Sequence, residues 1–171
     1  MKITDVKPEE YNPYYQCFIE TSTDLSLLEA FDSTKKYLIN FYKAIPEDKY
    51  DYAYEEGKWT VKEILNHLID VERIFSYRAL RFARKETIDL PGFDQDQYVI
   101  NANVLSRSLD SLLEEYSAVR QATISLFKSF SDDDLLTMGK ASGSAMSVRA
   151  LGFMILGHEK HHLKVLQERY L

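Results

Sequence analysis

Three of the four histidines in this 171-residue sequence fall within one stretch, Gly157-His158-Glu159-Lys160-His161-His162. On an α-helix, His158 and His162 stand one turn apart and project from the same face. Leu151, Ile155, Val165 and Leu166 share that face, so both imidazoles are aimed into an apolar stripe. An imidazole buried without a partner costs about 2–7 kcal/mol, depending on the reference state. Two of them at this spacing can be satisfied together by a single divalent ion. A single histidine on an apolar face is commonly a satisfied core residue; the pairing moves the reading toward ligation. His161 points about 100° away from His162 and is expected on the flank, outside the ligand set.

The same letters read His-Glu-x-x-His, the helix signature of zinc metalloproteases. Those enzymes take a further ligand downstream, but residues 163–171 hold no His or Asp and only Glu168. The protease reading fails, and a third ligand has to come from upstream. His67 is the one histidine outside the cluster. Neutral imidazole suits zinc, nickel, copper and iron(II). Three protein ligands leave the open position that separates a catalytic from a structural metal. Cys17 stands alone in the N-terminal segment and is not expected to close the site. A di-iron carboxylate bundle needs Glu-x-x-His on two helices and two further carboxylates. Glu159 and His162 supply one such pair, but Glu63 lies four residues before His67, so the second half is missing.

Helices must position these ligands. From Asp24, read as a cap, Leu27, Leu28, Phe31, Leu38, Phe41, Tyr42 and Ile45 follow helical spacing to Pro46. After a charged loop, Thr60 and Glu63 form a capping box that opens a second helix with Ile64, Leu65, Leu68, Val71 and Phe75 inward. A third helix carries Leu109, Leu112, Tyr116, Val119, Phe127 and Phe130, and Ser147 caps the fourth. The expected helices span about 24–45, 60–84, 108–130 and 147–169, with residues 1–23 as an arm whose aromatic residues pack on the body. No convincing alternating strand is present, and 131–146 reads as a Gly-, Ser- and Asp-rich loop. The connection over 85–107 is long enough to cover a site. Together these give one all-α domain over 1–171, a four-helix bundle.

Composition sets limits on partners. Hydrophobic content of 45% and charged content of 28% are those of an ordinary globule. A net charge of −6 argues against a nucleic-acid or anionic-membrane surface. One cysteine permits no internal disulfide. The first ten residues lack the apolar core of a signal peptide, and no apolar run reaches the length of a membrane span. The cytoplasm is the expected location.

Trp59-Thr60-Val61-Lys62-Glu63, leading to Asn66-His67-Leu68, resembles the second-helix motif of the DinB/YfiT-like proteins. Ser147-Val148-Arg149-Ala150-Leu151, leading to Gly157-His158-Glu159-Lys160-His161-His162-Leu163, resembles their fourth-helix motif. The similarity spans nearly the whole chain. It implies a four-helix bundle, often a homodimer, with a divalent metal (zinc or nickel foremost) on His67, His158 and His162. Members of that family include metal-dependent transferases for low-molecular-weight thiols and candidate metal-dependent hydrolases. An ion with an open position can lower the pKa of bound water to about 7 for hydrolysis, or hold a substrate thiol deprotonated for transfer. The resemblance therefore implies a small-molecule substrate. Thiol S-transfer stands ahead of hydrolysis, and a non-catalytic metal-binding bundle is the third reading. Glu159 is either a solvated helix residue or a group that orients water. Trp59, Asp94 and Tyr98 are pocket candidates by position alone.

Overall fold

Thr60 sets the phase of the helix that carries His67. In the computed structural model, which describes residues 1–21 and 25–171, its hydroxyl oxygen accepts the Glu63 amide at 3.2 Å. The Glu63 carboxylate in return accepts the Thr60 amide at 2.7 Å. Such a box stabilises a helix start by about 1 kcal/mol. In chain order the elements are α1 (Gln16–Glu20), α2 (Leu27–Lys43), α3 (Val61–Ala83), β1 (Asp89–Leu90), α4 (Gln95–Asn101), α5 (Leu109–Lys128), α6 (Asp132–Leu136), β2 (Met138–Ala141), β3 (Ser144–Ser147) and α7 (Val148–Arg169).

Helices α2, α3, α5 and α7 form the four-helix bundle, with α3 packed on α5 and α7, and α2 closing against α5 and α7. The interior falls into two apolar clusters. One gathers Phe31, Phe75, Phe82, Phe127, Leu151 and Phe153, and the other Leu38, Tyr42, Leu65, Leu112, Leu163 and Leu166. Each such side chain, fully buried, stabilises the fold by about 1.5–3 kcal/mol. Along α3, His67 lies between Leu65 of one cluster and Val71 of the other, and along α7, His158 lies between Ile155 and Leu163. The metal-ligating candidates thus sit at the level where the two apolar halves meet.

Ser26, not Asp24, occupies the cap position of α2, with Glu29 accepting its amide at 3.1 Å; Asp24 itself lies outside the described residues. The loop expected over 131–146 is a short helix followed by a hairpin. Strand β2 pairs antiparallel with β3 and parallel with β1, in the order β1-β2-β3. Ser142 and Gly143, both at positive φ (52° and 74°), make the two-residue turn that matches the twist of a hairpin. These strands have two to four residues, small and polar ones for the most part, so no alternation of apolar positions marks them. The arm is also more ordered than its lack of periodicity suggests. Its short helix α1 lies along α7, and Glu10 takes bonds from Ser147 (2.7 Å) and from Arg149 Nε (2.7 Å).

Candidate metal centre

His67 leaves α3 toward α7 and meets His158 and His162, which are one turn apart on the facing helix. The Nε2 atoms of His67 and His158 are 3.1 Å apart, as are those of His158 and His162. All three residues offer a ring nitrogen within 4.8 Å of the others. Two nitrogens on a tetrahedral zinc at about 2.0–2.1 Å lie about 3.3–3.4 Å apart, close to the two 3.1 Å separations here. The donor set fits such an ion chemically as well. Burial lowers His67 to about 4. Burial, then His67 and His161, lowers His162 to about 3. Burial and the neighbouring imidazoles push His158 well down. At neutral pH the three rings are uncharged, with lone pairs available.

Trp59 roofs the cluster, its ring 4.6 Å from that of His67 and 6.2 Å from that of His162. Phe18 of α1 meets His158 edge-on at 5.4 Å. His161 is exposed, with its ring against Phe18 at 5.7 Å, and takes no place among the three nitrogens.

A cavity of about 440 Å³ opens beside His158 and His162. The arm supplies Tyr14, Tyr15 and Phe18 to its wall, α3 supplies Val71, Phe75 and Arg78, and the 91–95 connection and hairpin supply Gly92, Phe93, Gln95 and Ser142. Trp59 and His161 complete the described wall, which contains no carboxylate. The long connection does cover the site. The arm does more than pack, because its aromatic residues form one side of the chamber.

Three expectations need correction. Glu159 is neither solvated nor on the cavity wall: it is 2% exposed, and its Oε2 accepts Arg120 Nη2 at 2.6 Å and the Tyr116 hydroxyl at 2.7 Å. Arg120 in turn binds Glu72 through two bonds, of 2.8 and 2.9 Å. Adjacent helix positions diverge by about 100°, so burying His158 toward the cavity turns Glu159 into the bundle. Asp94 caps α4 by accepting the Asp96 and Gln97 amides, at 3.0 and 3.1 Å; it is exposed and is not among the wall residues. Tyr98 is exposed, its ring 5.2 Å from that of Phe93, and it is not among the wall residues. Trp59 is the pocket candidate that lines the cavity. Sequence reasoning missed Arg78 and Arg120. Arg78 follows His67 by eleven residues, three helical turns, which returns it to the same face. Arg120 follows Tyr116 by one turn within an apolar stripe.

The profile of the DinB superfamily matches residues 30–166. A candidate metal-dependent hydrolase of Oceanobacillus iheyensis is 20% identical over 122 residues, covering 70% of this chain and 69% of that protein. Among solved structures, YfiT of Bacillus subtilis, described as a probable metal-dependent hydrolase with an unusual four-helix bundle topology, superposes with a TM-score of 0.71. It covers 95% of this chain and 90% of its own at 16% identity, a likeness of fold.

Proposed function

Because this chain belongs to the DinB superfamily, we propose that it is a metal-dependent enzyme, with a divalent ion on His67, His158 and His162 and a small-molecule substrate in the adjoining cavity. The observation that carries this reading is the convergence of three neutral, buried ring nitrogens beside an aromatic chamber. An all-nitrogen set of three imidazoles suits zinc or nickel. When bound, such an ion supplies Lewis-acid activation of a nucleophile at its open position.

The chain's own residues supply the remainder. Trp59 and Phe18 exclude water from two sides of the triad. The aromatic wall binds the body of the substrate, and His161 is the one imidazole of that wall outside the triad. Hydrolysis is the reading we adopt; the descriptions of the Oceanobacillus relative and of YfiT support it. S-transfer with a low-molecular-weight thiol is the second reading. It draws support from the lack of a carboxylate base among the described wall residues, since a coordinated thiol is deprotonated without one.

The test is turnover by zinc- and nickel-loaded protein on ester, amide and phosphoester panels, and in parallel on thiols with electrophilic cosubstrates. The expected result is turnover on one panel that disappears on chelation and in His158→Ala. No turnover above the metal-free level on any panel overturns the proposal.

A further inference from the structure

Four cationic side chains are buried among the described residues, and three have a carboxylate. Lys62 pairs with Asp51 at 2.8 Å, Arg120 with Glu72 and Glu159, and Arg149 with Glu10. Arg78 is the exception. It is 3% exposed and lines the cavity, yet it makes no ion pair among the described residues. Its Nη2 donates to the Pro91 carbonyl at 3.1 Å and to Ser142 Oγ at 3.0 Å, the Tyr15 hydroxyl is a third neutral hydrogen-bond partner, and its guanidinium lies over the Phe75 ring at 5.7 Å. Asp89 attracts the guanidinium from beyond ion-pair distance and is itself engaged by Lys140 at 3.2 Å.

A buried charge without an ion-paired counter-charge is costly, and the fold spends structure on holding this one in place. The parallel pairing of Leu90 with Ala141 brings the 89–92 segment beside the hairpin. The Ser142 amide is then tied to the Leu90 carbonyl at 2.9 Å, and the positive-φ turn directs Ser142 Oγ at the guanidinium. The sheet that periodicity did not reveal is the scaffold of Arg78. Along α3, Arg78 stands about 16 Å of helix rise from His67, on the same face. Phe75 and Val71 lie between them on the cavity wall.

We propose that Arg78 is the anion receptor of the substrate cavity, and that the substrate is a small carboxylate with an aromatic or apolar body. Its carboxylate binds the guanidinium, its body lies among Tyr14, Tyr15, Phe18, Phe75 and Phe93, and its other end reaches the histidine triad. This rests on the reading of the cavity as the substrate site. Guanidinium is suited to the task because it presents paired donors to a carboxylate at fixed geometry.

The test uses Trp59, the only tryptophan, whose fluorescence reports on the cavity it lines. Zinc-loaded protein is titrated with 4-phenylbutyrate and with its neutral isostere 4-phenylbutyramide, and the titrations are repeated on chelated protein. A charge-assisted pair predicts about ten- to hundredfold tighter binding of the acid. That preference should survive chelation, vanish in Arg78→Met and persist in part in Arg78→Lys. Equal binding of acid and amide by the wild-type chain overturns the proposal without any variant. A preference that is lost on chelation but unchanged in Arg78→Met also overturns it, because the carboxylate then sits on the ion. That second outcome leaves the metal site standing, whereas failure to bind zinc with the acid preference intact removes the metal reading and keeps Arg78.

Discussion

Gly157 of α7 lies directly under the Phe18 carbonyl of α1: a Cβ built at position 157 would stand 1.8 Å from that oxygen. The glycine lets the arm settle onto the helix that carries two of the three site histidines, and so brings Phe18 to His158.

Gly157→Ala separates this contact from helix propensity. In an exposed helix interior the change gains about 1 kcal/mol. Here it should destabilise the protein, lift the arm and raise the exposure of Trp59 and His158. Urea denaturation and acrylamide quenching of Trp59 check this. A stabilised variant with unchanged quenching would show that the arm does not rest on Gly157.

The Glu72–Arg120–Glu159 cluster is a buried ion network, and its loss bears on stability. Arg120→Met leaves two buried carboxylates unpaired and should cost about 3–5 kcal/mol. Glu159→Gln removes one charge and should lower the melting temperature by several degrees, about 2–4 °C per kcal/mol for a chain of this size, while zinc stoichiometry is kept. Loss of zinc by Glu159→Gln in a folded protein would return Glu159 to the site.

Glu10 gives the arm a pH dependence. Burial alone would raise its carboxyl, but bonds from Arg149, the Lys7 amide and Ser147 outweigh that and hold it at about 2, below the usual 4.5. The folded state therefore favours the ionised form. Its contribution, roughly 2–3 kcal/mol, is complete above pH 4.5 and declines as pH falls toward 2. Glu10→Gln should be less stable than wild type at neutral pH, and the gap should narrow on acidification through that window. A gap that stays constant down to pH 3 contradicts the assignment.

The helices were legible because apolar spacing and capping chemistry agree at Thr60, Ser108 and Ser147, each of which accepts the amide three residues on. The histidine cluster was legible because an i, i+4 pair on an apolar stripe has few other uses. What stayed hidden depends on contacts between distant segments. Phe18, Phe93 and Ser142 become wall residues only after the arm, the connection and the hairpin fold over α3 and α7. Glu159 was misread because its neighbour's burial direction fixes its own, and the apolar stripe alone does not show that Arg120 waits on α5 to receive it.

The central claim is that His67, His158 and His162 hold one divalent ion and His161 does not. The most direct measurement is bound zinc per chain after equilibrium dialysis of the four single alanine variants beside wild type, each first shown to be folded by circular dichroism. The account predicts about one zinc per chain for wild type and His161→Ala, and loss of stoichiometric binding in His67→Ala, His158→Ala and His162→Ala. Retention of a full equivalent by any of those three, or equal loss in His161→Ala, would contradict it.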